Sequence, residues 1–397
     1  MPSTYSTDIV IFGGGIAGLW LLNRLGQEGY DCLLLENKAL GSGQSLASQG
    51  IIHGGLKYAL SGSLTAAAQA IAAMPARWRD CYAGTGEIDL SDCPILSEHY
   101  YMWSDGGVRS KLKTFLGSKS LRGRVAAVNR DDYPAAMAAA TTAGSLYRLP
   151  DFVIDTAALL QRLASNYPGR VFNYGSLDSV NVGDGEQPVK LVLSHNDNVM
   201  EVEARTLVLC AGAGNTALLQ QFGIQSVRTQ LRPLNMVYLR QEGLPQIYLH
   251  CIGSDFSLTP ELTVTSHRDA RGRTVWYLGG ELAEAGVGRG DDEQILAAKQ
   301  LLQRFLPWVD VSDGDWQCLA INRAEADVGN DYRPDDAYIA VEGRVVAAWP
   351  TKLTLAPSLA DKLVEHIKWL YPPTNVVTGQ RENCLPAATM GRQPWNE

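Results

Sequence analysis

The 397-residue chain has no C-x-x-C pair, and its seven cysteines are an odd number. Those two features point to reduced thiols in a cytoplasmic compartment rather than a disulfide framework. Apolar runs long enough to span a bilayer are missing, although peripheral contact with a membrane surface is left open. Basic residues are outnumbered: 34 Lys and Arg stand against 42 Asp and Glu, a net charge of −8. Binding a phosphate backbone needs a basic face, so no nucleic-acid partner is expected. Neither a G-x-S-x-G nucleophile elbow nor a P-loop occurs. The six histidines stand at no ligand spacing to cysteines or acids, so no metal is expected. Repeats and low-complexity stretches are absent as well.

Glycine is plentiful, with 39 residues, and its most telling use is DIVIFGGGIAGLWLLNRLGQEGYDCLLLE at 8–36. Residues 8–12 are the apolar run of a strand covered on both faces. Gly13, Gly15 and Gly18 fall at G-x-G-x-x-G spacing, with Gly14 inside the turn. The first permits a tight turn, the second lets backbone approach a pyrophosphate, and the third lets helix and strand pack closely. Ile16 and Ala17 open a helix predicted to run to residue 27, its positive amino end aimed at the pyrophosphate. A second strand ends at Glu36, followed by Asn37, about 20 residues past the turn, where a carboxylate accepts ribose hydroxyls. Strand, triplet, helix, strand and terminal acid in register predict an ADP-containing dinucleotide.

Three later features favour FAD over NAD. The loop at 41–50 supplies donors for an extended pyrophosphate through Gln44, Ser45, Ser48 and Gln49, and closes on Gly50. A strand at 206–210 runs into A-G-A-G-N, where Ala211 and Gly212 let backbone crowd a ligand; Leu177 lies on a nearby predicted strand. Near the carboxyl end, a strand leads into P-T-K-L-T (Pro350, Thr351, Lys352, Leu353, Thr354) and then a helix. That unit can aim a helix amino end and Lys352 at one spot, which suits the negative pyrimidine edge of a reduced flavin.

The length predicts two domains. Helices are expected at 62–80, 156–165 with Asp155 as N-cap, 292–306 and 358–370. An aromatic strand is expected at 100–103, a hairpin around 195–198, and antiparallel strands at 236–239, 247–251, 262–266 and 275–278, with an exposed turn at 268–273. The proline- and polar-rich tail after Pro372 is expected to be loosely ordered.

Taken together these residues resemble the FAD-dependent oxidoreductases of the D-amino acid oxidase superfamily, over nearly the whole chain. S-Q-G-I-I-H-G-G-L-K-Y at 48–58 is similar to the segment after the fingerprint in glycerol-3-phosphate dehydrogenases and L-2-hydroxyglutarate dehydrogenases. T-K-L-T at 351–354 resembles the G-K-L-T of the former. The family expects a glycine-rich turn before Lys352, and here that turn is Ala348-Trp349-Pro350. The resemblance implies an α/β fold: a Rossmann-like FAD-binding domain of glutathione-reductase type, with a second α+β substrate domain built on an antiparallel sheet. The first is expected to comprise 1–80, 150–230 and 320–397, the second 81–149 and 231–319.

The expected function is oxidation of a small polar substrate, a 2-hydroxy acid or a glycerol-3-phosphate-like alcohol, by hydride transfer to flavin. Amine or D-amino acid oxidation on the same fold, or a non-catalytic FAD-binding accessory subunit, are the alternatives. The electron acceptor stays open among oxygen, a quinone and a carrier protein. His53, between Ile52 and two glycines, is the candidate proton acceptor, since imidazole titrates near working pH. Lys57 and Tyr58 follow on the same segment. Arg323 is the candidate clamp for a substrate anion, with an ion pair to Glu325 or Asp327 as its bland reading. Lys352 would stabilise the reduced flavin. His267, on the sheet expected to roof the flavin, is a weaker candidate, His250 is similar in kind, and Cys318 is an idle thiol unless it anchors a flavin.

Overall fold

A computed structural model of the protein describes residues 4–55, 66–104, 125–141, 144–183, 187–253, 259–329, 334–374 and 385–396. Lys57 and Tyr58 lie outside them. Strand β1 (Thr4–Phe12) runs parallel to β2 (Cys32–Glu36), Ile9 opposite Cys32 and Phe12 opposite Leu35. On its other side lies the strand Asn198–Leu209, also parallel, with Ile9 opposite Thr206. Val171–Asn173 extends this sheet beyond β2, and Val345–Trp349 pairs in parallel with Asn198–Leu209. The eight-stranded sheet thus collects its strands from three separated stretches of chain. Burial on both faces explains why residues 9–12 are apolar without alternation.

Helix α1 (Ile16–Gln27) is buried along nearly its whole length and shares one apolar core with the helix Ala356–Leu370. Asp155 caps the helix Thr156–Ser165 as expected, its Oδ1 accepting the amides of Ala157 and Ala158 at 2.9 and 3.1 Å. The stretch at 171–181 is a pair of strands, Val171–Asn173 and Ser176–Asn181. Asn196 turns the hairpin between Val189–His195 and Asn198–Leu209 at φ 53°, a conformation Asn tolerates better than most residues.

A second eight-stranded sheet is mostly antiparallel; the strands expected at 100–103, 236–239, 247–251, 262–266 and 275–278 are in it, observed at 100–104, 229–240, 249–252, 262–268 and 274–279. Its edge strand, Asp315–Ala326, went unforeseen; it pairs with Thr229–Arg240 from Thr229 opposite Ala326 to Arg240 opposite Asp315. The boundary expected at residue 320 falls inside this strand. A third, three-stranded sheet joins β3 (Ile51–Ile52), Phe152–Ile154 and Ile95–Ser97.

The described part of the tail departs from expectation, residues 375–384 lying outside the described residues. Residues 385–396 are packed, not loose: Leu40 and Asn173 donate backbone hydrogen bonds to Thr389 and Pro386, and Trp395 is buried. Its polar composition is misleading because neighbouring backbone satisfies its hydrogen bonds.

Candidate active site

The glycine turn joins β1 to α1 under tight constraint. Gly13 sits at φ 109°, which only glycine adopts readily, and a Cβ there would lie 2.6 Å from the Cys210 carbonyl oxygen and the Ala211 Cα. The Gly13 amide donates to the Leu35 carbonyl at 2.8 Å, and the Cys210 amide to that of Phe12 at 2.7 Å. A Cβ on Gly18 would come within 2.0 Å of the Gly13 oxygen, so this glycine serves helix–strand packing. No side chain of the N-cap residue, Gly15, covers the end of α1; the Ile16 amide donates to Ser45 Oγ at 3.0 Å. Glu36 accepts the Gly14 amide at 2.7 Å and the Lys38 amide at 2.9 Å.

Asn215 draws the other two segments in. Its Oδ1 accepts the Ala211 amide at 2.8 Å, and its Nδ2 donates to the carbonyls of Leu209 and Ala348 at 3.1 and 3.3 Å. The A-G-A-G-N turn is therefore fastened to the end of the strand that leads into Pro350–Leu353.

All three segments line one cavity of about 980 Å³. On its wall lie Gly13, Gly15, Ile16, Ala17, Glu36, Asn37, Gln44, Ser45, Ser48, Gln49, Leu177, Ala211, Gly212, Pro350, Thr351, Lys352 and Leu353. Of the expected cofactor contacts, Gly14, Gly18, Gly50 and Thr354 are not on it. Gly50 (φ 70°) instead fits against Ile154, where a Cβ would meet its carbonyl oxygen at 2.4 Å. The volume is at the upper end of the range for cofactor pockets. A glycine turn, a helix amino end whose first amide meets the Ser45 hydroxyl, and a carboxylate along one wall fit the diphosphate and ribose of FAD.

Arg323 is on the same wall, projecting from the unforeseen edge strand. Its Nη1 lies 3.6 Å from Glu284, also on the wall, not paired with Glu325 or Asp327. Glu325 lies across from Arg232 instead, at 3.7 Å. Leu234, Met236, Leu319 and Ile321 add an apolar face, and Arg392 and Pro394 of the tail also line the cavity. Sequence reading missed all of these, because alternation along a half-exposed strand is weak and the tail carries no motif.

His53 follows β3 and is half-buried. Its amide donates to Thr354 Oγ1 at 3.2 Å, and that hydroxyl donates to the Ile51 carbonyl at 3.3 Å. The next residue, Gly54, donates to Asp151 Oδ1 at 2.9 Å, and burial pushes the Asp151 carboxyl up to about 7. His53 is thus two residues from Lys352 through one hydroxyl, but it is not among the residues lining the cavity.

His267 does not join the site. Its ring stacks on Trp395 at 4.4 Å, its Nε2 meets Thr265 Oγ1 at 3.0 Å, and burial pushes its pKa down to about 3. His250, likewise pushed down to about 3 by burial, bonds Thr263 Oγ1 at 3.1 Å. Both rings stay neutral at working pH and pack the second sheet. Cys318 lies off the cavity wall, near the Asp291 carbonyl at 3.7 Å, and burial raises its thiol to about 11.

Thr351 stands at φ 59°, where a β-branched residue is strained and glycine is not. This chain thus has a glycine-like backbone at Thr351, the position of the glycine in G-K-L-T. Thr351→Gly is expected to raise unfolding stability by roughly 1 kcal/mol in chemical denaturation; an unchanged or lower midpoint would show that the turn is unstrained.

Residues 8–356 match the family model of FAD dependent oxidoreductases (DAO). A Pseudomonas aeruginosa protein described as a probable FAD-dependent oxidoreductase is 43% identical over 372 residues, covering 93% of this chain and 92% of the other. A crystal structure of an FAD dependent oxidoreductase from that organism superposes with TM-score 0.84 at 37% identity, covering 100% of this chain and 99% of that one. L-alpha-glycerophosphate oxidase of Mycoplasma pneumoniae with FAD bound shares the fold at TM-score 0.66 and 13% identity, covering 92% and 96% of the two chains. Glycine oxidase of Geobacillus kaustophilus does so at 0.62 and 16%, covering 98% and 99%. The chain belongs to the FAD-dependent oxidoreductase (DAO) family, and it is an enzyme whose cofactor is FAD.

Proposed function

We propose that the enzyme oxidises a small polar substrate bearing an anionic group, a 2-hydroxy acid or a glycerol-3-phosphate-like alcohol. The observation that carries this reading is a single cavity wall holding the glycine turn, the A-G-A-G-N turn, Lys352 and Arg323 together. Bound FAD supplies the two-electron acceptor. The close backbone of the Gly13–Gly15 turn and the amino end of α1, its Ile16 amide released from Ser45, would hold its diphosphate, Glu36 a ribose, and Lys352 the negative edge of its ring. Arg323 clamps the substrate's carboxylate or phosphate through paired hydrogen bonds, released from Glu284. His53, off the cavity wall but tied to the Lys352 segment through Thr354 Oγ1, is the proposed acceptor of the substrate hydroxyl's proton, and the apolar side chains on the second sheet would keep water from the reacting end. In this reading the first sheet belongs to the cofactor domain and the second to the substrate domain.

Alcohol-oxidising and amine-oxidising enzymes share this fold, so the preference for an alcohol rests on the likeness of residues 48–58. A panel of 2-hydroxy acids, polyol phosphates and amino acids, scored by anaerobic bleaching of the flavin, tests it. Bleaching by an amino acid alone would sink the alcohol assignment. Arg323→Leu is expected to lower kcat/KM for the active compound at least about tenfold, mostly through KM, with partial recovery in Arg323→Lys.

A further inference from the structure

Residues 385–396 lie beyond the 8–356 matched by the family model, yet two of them, Arg392 and Pro394, line the cofactor cavity. At one end the strap is fastened to the loop after β2. The Leu40 amide donates to Thr389 at 2.8 Å, and the Gly391 amide donates back to Leu40 at 2.9 Å. A Cβ on Gly391 would be 3.3 Å from Ser42 Cα, so the strap rests directly on this loop. The same loop is bonded to the glycine turn, Gly41 donating to the Gly14 carbonyl at 2.9 Å. At the other end Trp395 is locked into the second sheet: its Nε1 donates to the Arg268 carbonyl at 3.2 Å and its own carbonyl accepts from Arg240.

Between these anchors Arg392 is exposed and lines the cavity, and among the described residues its guanidinium has no ion pair or hydrogen bond. Arg323, by contrast, faces Glu284. The amino end of α1 offers a diphosphate only about half a positive charge, and its first amide is already taken by Ser45. A guanidinium fork one residue from Gly391 is the group that would complete the site.

We propose that Arg392 is a cofactor-binding residue whose guanidinium binds the diphosphate of FAD, with the strap closing the cavity over it. This rests on FAD occupying the cavity. The test is to titrate the full-length chain, freed of FAD, with FAD (flavin fluorescence), ADP and adenosine (calorimetry). Arg392→Gln is expected to weaken FAD and ADP about tenfold each, and Arg392→Lys by less. Adenosine affinity and the melting temperature of the ligand-free protein should not move, since Arg392 is exposed and unpaired. Wild-type affinity of Arg392→Gln for both nucleotides would overturn the proposal. So would a loss confined to FAD, which would put the guanidinium on the flavin half, or a fall in ligand-free melting temperature, which would make it structural. A wild-type chain that binds ADP but not FAD would instead sink the cofactor-cavity reading.

Discussion

Gly13→Val is expected to purify colourless, with FAD affinity reduced at least about a hundredfold, because two penalties coincide at one backbone position. At φ 109° any side chain is strained, costing of order 1–3 kcal/mol. Independently, the new Cβ lands 2.6 Å from the Cys210 carbonyl oxygen and the Ala211 Cα, and 2.7 Å from the Ala211 nitrogen. All three are backbone atoms, so no rotamer change relieves the clash. Relief comes only by parting β1 from Asn198–Leu209, which pulls Ala211 and Gly212 off the cavity wall. About 3 kcal/mol, a hundredfold and more, is a modest total for such a change. The flavin-to-protein absorbance ratio of the purified variant, with far-UV circular dichroism as a folding check, decides it. A folded variant with stoichiometric flavin would show that this turn does not carry the cofactor.

The glycine turn was legible in the sequence because its logic is local. Gly13, Gly15, Gly18 and Glu36 lie within one short run, and the pairing of β1 with β2 follows from the apolar runs flanking them. The A-G-A-G-N and P-T-K-L-T segments could be matched to the turn because each ends a buried strand. What escaped was decided at long range. Arg323 was named, but its partner was not, because Glu284 lies on a helix brought near by the second sheet. His267 was placed near the flavin by its sheet; its ring is instead claimed by Trp395, 128 positions on in a tail whose composition argues against burial. Thr351 hides a glycine conformation behind a residue that rarely adopts one.

His53→Ala should slow anaerobic flavin reduction by substrate about a hundredfold while leaving FAD bound, the lower end of what a positioned general base supplies. The segment is pinned through backbone on both sides of the imidazole: the His53 amide on Thr354, the Gly54 amide on Asp151, and β3 paired with Phe152–Ile154. Removing the imidazole breaks none of these backbone bonds, so the segment should keep its path and the flavin-to-protein ratio should stay at the wild-type value. Asp151 must be separated from the base, because burial lifts its carboxyl to about 7, so that it changes charge near neutrality. It is protonated below that value and carries its charge above it, so it could mimic a rate that rises with pH. Asp151→Asn keeps an oxygen acceptor for the Gly54 amide but cannot titrate. The rate of reduction at a fixed pH should therefore be kept in Asp151→Asn and fall in His53→Ala. If it falls in Asp151→Asn and His53→Ala reduces its flavin at the wild-type rate, the buried carboxyl controls the step and the imidazole has no part in it.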